Sequence, residues 1–227
     1  MVKSSKKKVK AAAKSVRKKK SDAEKTVSPN GGVQLWENGP YWAECNIGAT
    51  KPEDPGYYFW WGDTVGYKRN SSDDGWVSVK DGAEFEFTSD NCPAYKKGYT
   101  DSTGNLVAAH DAAAAHWGDG WRMPTAADFE EMIEKCDFSL STRNGVDGMV
   151  VKGIGAYASK SIFLPFTGWG EESGLNYNDD LCLDGQYWSS APFDSDHACG
   201  LCLEAYDWYM CGFYHYCGRP VRPLRFL

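Results

Sequence analysis

Four cysteines crowd into nineteen residues near the C-terminus, as Cys199-x2-Cys202 and Cys211-x5-Cys217, with His197 and His215 beside them. Thiolate and imidazole are ligands of tetrahedral zinc, so the set has the chemistry of a structural metal site. Its second spacing departs from the common zinc-finger patterns, and the same stretch offers a different chemistry. Asp194, Asp196, His197, Tyr206, Tyr209, Tyr214, His215 and Tyr216 fall between Asp194 and Cys217. Tyrosine supplies rigid contact area with a polar tip, while Asp and His supply adaptable hydrogen bonds, which is the composition of a ligand-binding face. No Ser/His/Asp elbow and no phosphate-cradling glycine loop accompanies these residues. No catalytic residue is assigned, and no metal or cofactor is expected.

A face of this kind needs a rigid body beneath it. The 227 residues are 42% hydrophobic and 15% aromatic, enough to bury one sizeable core. Two helices are predicted. Val107 to His116 is rich in alanine and stopped by Gly118. The second follows Thr125 as N-cap, with Asp128 three residues on. It sets Phe129, Met132, Ile133 and Cys136 on one face and Glu130, Glu131 and Glu134 on the other. Short strands are predicted at 57–61, 148–151, 161–164, 186–188 and 201–203, each between turn residues. Residues 62–104 read as loop with one hairpin, around 76–79 and 84–87, and Asn178-Asp-Asp180 reads as a turn. Two helices among many short strands point to an α+β fold. Trp188 and Trp208, flanked by strand-like residues, are expected to pack with Met210 under the tyrosines.

The formal charge of −6 hides two parts. Residues 1–25 hold 11 of the 25 basic side chains and 2 of the 31 acidic ones, leaving 14 basic and 29 acidic in the rest. A body near −15 repels phosphate backbones, so any nucleic-acid role falls to the tail. Residues 1–27 carry too few apolar side chains to order themselves, and residues 28–227 form the folded region. The tail is suited to a virion component, an acidic surface or nucleic acid. No apolar run approaches the ~18 residues of a spanning helix, so no membrane insertion is expected. Neither is a secretory signal, since Met1-Val-Lys opens a Lys/Ala/Ser mixture.

Several motifs together resemble one family. They are Trp42-Ala-Glu-Cys-Asn-Ile-Gly-Ala-Thr50, Gly56-Tyr-Tyr-Phe-Trp-Trp-Gly62, Asp111-Ala-Ala-Ala-Ala-His-Trp-Gly-Asp-Gly-Trp-Arg-Met-Pro-Thr125, Ser161-Ile-Phe-Leu-Pro165, Tyr187-Trp-Ser-Ser190 and Gly218-Arg-Pro-Val-Arg-Pro223. In this order, over residues 33–227, they resemble the Fibrobacter succinogenes major paralogous domain. That resemblance implies a C-type lectin fold of the formylglycine-generating-enzyme type, with two helices, a small twisted antiparallel sheet and long loops. It further implies a C-terminal ligand-binding face, here residues 186–223. The same fold serves variable proteins of diversity-generating retroelements, where adenine-directed errors rewrite Asn codons to many residues but never to Trp, Glu or Met. Of the 24 residues from Asp194 to Cys217, only Glu204, Trp208 and Met210 are unreachable in this way, and four are Tyr and four Cys. A family member that was never diversified is the other reading of the same residues.

The resemblance thus implies a non-enzymatic receptor- or ligand-binding protein whose partner is a protein or cell-surface molecule, acting on a phage virion or in a cytoplasm. The alternatives are a cytosolic bacterial protein-binding module and a relative of the formylglycine-generating cysteine oxidases. The four C-terminal cysteines do not match the catalytic pattern of the latter, and the Glu-Pro-Asn, Gln-Pro-Asp and Trp-Asn-Asp signatures of calcium lectins are absent.

Overall fold

A computed structural model describes residues 31–71, 75–93, 98–118, 120–177 and 183–227. The basic tail at 1–27, the turn at Asn178–Asp180 and Cys182 lie outside the described residues.

In order along the sequence the strands and helices are β1 (Val33–Gln34), β2 (Tyr41–Trp42), β3 (Tyr67–Arg69), β4 (Trp76–Ser78), β5 (Glu84–Phe85), α1 (Ala112–Trp117), α2 (Ala126–Lys135), β6 (Cys136–Arg143), β7 (Val146–Gly153), β8 (Ser161–Pro165), β9 (Trp169–Glu171), β10 (Gly174–Asn176), β11 (Asp184–Pro192), β12 (His197–Glu204), β13 (Asp207–Tyr214) and β14 (Leu224–Arg225). They pair into small antiparallel sheets ordered β1-β2-β14, β3-β4-β5, β6-β7-β8, β9-β10 and β11-β12-β13. Among the described residues strand accounts for 41% and helix for 12%, so they are predominantly β, and the α+β C-type-lectin expectation is corrected.

The reason is local. Asp111 accepts from the Ala114 amide and so caps a new helix inside the alanine-rich run. That run is split into a 3-10 turn at Ala108–His110 and the six-residue α1. Meanwhile Cys136 to Arg143 pairs fully with β7, and Asp207 to Tyr214 with β12, although neither was expected as a strand. Residues 57–61 make only single bridges, Tyr58 to Tyr67 and Phe59 to Arg219.

α2 follows its sequence signals closely. Thr125 and Asp128 form a reciprocal capping box, and Arg122 reaches the Asp128 carboxylate at 2.7 Å. Phe129 and Met132 are fully buried and Cys136 nearly so, whereas Ile133 is half-buried at the edge of the stripe. This helix covers one side of the β11-β12-β13 sheet, packing with Leu201, Leu203, Trp208 and Met210. The other side meets a second cluster that includes α1, Phe59, Trp61, Trp188 and Phe213. With both sides covered, β11 is buried over seven consecutive residues, and of the two edge strands β13 is the more exposed.

The C-terminal segment ties these layers together. Arg222 has no solvent exposure and donates from all three guanidinium nitrogens: Nε to Asn46 Oδ1 at 2.8 Å, Nη1 to the Ala43 carbonyl at 3.0 Å and Nη2 to the Phe163 carbonyl at 2.9 Å. Gly170 and Gly218 exchange two backbone hydrogen bonds of 2.7 Å, and a Cβ on either would strike the Phe87 ring. Their bareness lets β9 lie directly against the backbone entering Arg219.

Phe129→Ala is expected to cost about 3–5 kcal/mol and Thr125→Ala about 1 kcal/mol by chemical denaturation. Burial opposes the Asp128 charge, but its bonds to Arg122 and Thr125 outweigh that and hold the carboxyl below its ordinary 3.8. Its contribution is therefore present above the unfolded value and lost as pH falls through the folded one. Asp128→Asn should lose less stability than the wild type on acidification through that range.

Candidate functional site

The expected site residues are carried by the β12–β13 hairpin and the turn before it. Asp194, Asp196, Tyr206, Tyr209 and Tyr214 are exposed, and His197 and Tyr216 are half-buried. Tyr206 occupies the hairpin tip at 89% exposure, because Glu204 pairs with Asp207 and leaves a two-residue turn. Asp194, Asp196, His197, Tyr214 and Tyr216 gather at the opposite end. At ~3.3 Å per residue the eight steps from Tyr206 to Tyr214 span roughly 26 Å. With Tyr209 opposite Cys202 and Tyr214 opposite His197 the two rings start from opposite sides of the sheet, so the tyrosines stand at separate ends of the hairpin and do not share one side of it.

His215 is the correction. It is 3% exposed and stacks on Trp61 with ring centroids 4.8 Å apart, so it belongs to the scaffold. It lies in the turn that follows β13, and Tyr214 and Tyr216 on either side of it stack on each other at 5.3 Å. Asp194 has a structural part as well. Its Oδ1 accepts from the amides of Asp196 and His197 and contacts His197 Nδ1 at 2.8 Å, which closes the β11–β12 turn and lowers its pKa. The His197 ring then lies against Tyr214 at 4.3 Å.

Register explains what lies under the face. Tyr209 stands opposite Cys202, Cys211 opposite Gly200 and Phe213 opposite Ala198, so these residues share one side of the sheet. Leu203 with Trp208 and Leu201 with Met210 share the other, toward α2. Trp208 is half-buried, and its ring stacks on Phe138 at 5.0 Å and 7°.

The C-terminal cysteines do not converge. Cys199 pairs with Gly212 and so faces away from Cys202 and Cys211, and among the described residues no three His, Cys, Asp or Glu side chains form a metal-holding group. The seven described thiols are all free, and burial raises the pKa of each, to about 12 for Cys92, Cys136 and Cys202. Reactive thiols have the opposite signature.

Between Tyr209 and Tyr214 opens a cleft of 380 Å³, with Trp169 and Glu171 of β9 on one wall. Its buried lining is Gln186, Cys202, Phe213, Cys217 and Arg219. Arg219 and Gln186 were not expected as site residues. The signal available for Arg219 was the arginine pair of Gly218-Arg-Pro-Val-Arg-Pro223, but nothing in that motif separates a structural arginine from a cleft-lining one. A larger hollow of 560 Å³ over β4 and β5 carries Glu84 and Glu86 and none of the expected residues.

Comparison with protein-family models, with curated proteins and with solved structures finds no match to this protein. No helix among the described residues is long and apolar enough to cross a membrane.

Burial pushes the His215 ring below its ordinary 6.5, and His116 shifts the same way for the same reason. The unfolded state therefore binds protons more readily, and the stability of the neutral rings, full above the unfolded value, is lost as pH falls through the folded one. The melting temperature should drop from pH 7 to pH 5, and His215→Phe should shrink that drop without abolishing it.

Proposed function

We propose that the β12–β13 hairpin and the turn before it form the ligand-binding face of a non-enzymatic binding protein, one related to the major paralogous domain and diversified as retroelement variable proteins are. The observation that carries this reading is the contrast across the hairpin. Tyr206, Tyr209 and Tyr214 are 89, 39 and 49% exposed, with Phe193 alongside at 61%, while Trp188, Leu201 and Leu203 beneath them are fully buried. An exposed aromatic patch on a packed support is the usual physics of an interaction site, because solvated rings gain area only when a partner covers them.

The positions outside the reach of Asn-codon rewriting fit the same division. Trp208 and Met210 pack toward α2, and Glu204 accepts from the Tyr209 hydroxyl at 2.9 Å. Ala198, Leu201, Cys202 and Leu203 are buried, so rewriting is confined to the outward positions, since packed interiors do not accept arbitrary volumes. The ligand in this reading is a protein or cell-surface molecule. The raised pKa values of the thiols favour binding over the cysteine-oxidase alternative.

The DNA flanking the gene provides the test. A near-copy of the codons for residues 186–223 is expected beside a reverse-transcriptase gene, differing at adenines in the codons of outward residues such as Asp196, Tyr206, Tyr209 and Tyr214. A locus without such a copy returns the protein to an undiversified binding module. The triple replacement of Tyr206, Tyr209 and Tyr214 by Ser should change stability by no more than about 1 kcal/mol, as for exposed sites generally. A larger loss would place those rings in the core and end the binding-face reading.

A further inference from the structure

Two buried guanidiniums stand three residues apart in the C-terminal segment, and only one of them is satisfied. Arg222 donates from every nitrogen to an oxygen acceptor. Arg219, 4% exposed, donates from Nε to Gln186 Oε1 at 2.8 Å, and its buried Nη1 has no hydrogen-bond partner among the described residues. Its guanidinium lies 4.0 Å from the Phe213 ring centroid and 4.8 Å from that of Trp188. These cation–π contacts fix the plane of the group without using its N–H donors.

No carboxylate of the described residues forms an ion pair with Arg219. Its remaining polar neighbours are the thiols of Cys202, Cys211 and Cys217, the last in side-chain hydrogen-bond contact; burial keeps these thiols protonated and neutral, and pushes the pKa of Arg219 itself down to about 10. It remains a cation at neutral pH. A buried cation with a spare donor and no counter-ion is costly, and here it lines the cleft that opens between Tyr209 and Tyr214.

We propose that this cleft is a carboxylate subsite, in which the Arg219 guanidinium receives an acidic group of a protein ligand between the two tyrosines. The inference rests on the binding-face reading and names the chemistry recognised at its centre. A carboxylate fits for three reasons. Its two oxygens match the planar guanidinium fork, which phenyl and indole rings already hold in place. Trp169 and Phe213 in the same lining offer apolar surface to the methylenes that carry the group. Glu171 on the wall, whose Oε2 accepts from Trp169 Nε1 at 3.2 Å, penalises a dianionic phosphate more than a monoanion.

The acidic group has two sources, a Glu or Asp residue or the terminal carboxylate of a polypeptide, and two probe pairs separate them. N-acetylglutamate α-amide is compared with N-acetylglutamine α-amide, and N-acetyl-leucine with N-acetyl-leucinamide. Each is titrated into the full-length protein while the Arg219 Nε–H and tryptophan indole resonances are followed. At least one acid is expected to bind about tenfold or more tightly than its amide and to move the Arg219 resonance, as the loss of a charge-assisted pair requires. Arg219→Met should erase that preference, and Glu171→Gln should strengthen acid binding. If Arg219→Met does not fold, the acid-to-amide comparison on the wild type decides alone. Equal binding of acid and amide, or no shift at Arg219 with either acid, overturns the proposal. The flanking-DNA test is untouched by that failure, just as a missing template copy leaves these titrations untouched.

Discussion

The fold hangs on the burial of one charged group. Arg222 has no contact with solvent, and its three hydrogen bonds run to Asn46, to the Ala43 carbonyl and to the Phe163 carbonyl, which lie far from it in the sequence. Desolvating a guanidinium is expensive, and a neutral acceptor on each nitrogen offsets the cost only where those acceptors are already in place. The contact therefore holds together as a unit or not at all. It fixes the C-terminal segment, which in turn pairs Leu224 with Trp42 in the β1-β2-β14 sheet and presents Arg219 to the cleft.

With that segment anchored, the β11-β12-β13 sheet can be buried on both sides along β11 and β12 while β13 remains an edge. The asymmetry gives the hairpin its two characters. Inward positions complete the clusters on α2 and on α1, whereas outward positions have nothing left to pack against. Tyr209 and Tyr214 are large rings at such positions, and Tyr206 sits on a tip that no other described element approaches closely enough to cover. The support comes from rings as well: Phe138 under Trp208, Trp61 under His215, and the Phe213 and Trp188 pair around Arg219.

Arg219 and Arg222 show how little a motif says about roles. Both are buried and both lie in Gly218-Arg-Pro-Val-Arg-Pro223, yet Arg222 has an acceptor on each nitrogen and Arg219 keeps a buried nitrogen without one. The difference lies entirely in what surrounds them. Main-chain carbonyls converge on Arg222, while rings, thiols and a single amide converge on Arg219.

Some of this was legible in the sequence because it is local. The Thr125 and Asp128 capping box, the Phe129 and Met132 stripe, the strands around 148–151, 161–164, 186–188 and 201–203, and the outward tyrosines all follow from periodicity and residue chemistry over a few positions. Other features depend on pairing and packing beyond the residues that form them. The strands of Cys136–Arg143 and Asp207–Tyr214 form because β7 and β12 offer their edges, and the alanine-rich helix shortens because Asp111 also accepts from the Met123 amide. His215 is covered by the Trp61 ring in the turn after β13, and Arg219 is left unsatisfied by neighbours drawn from β11, β12 and β13. The sequence by itself determined the helix caps, the apolar stripes and the polar, aromatic character of the C-terminal hairpin, since each is set by short-range chemistry. The tertiary structure alone decided which strands pair, which histidine is covered and which arginine faces a cleft, because burial and hydrogen-bond satisfaction depend on the whole set of neighbours.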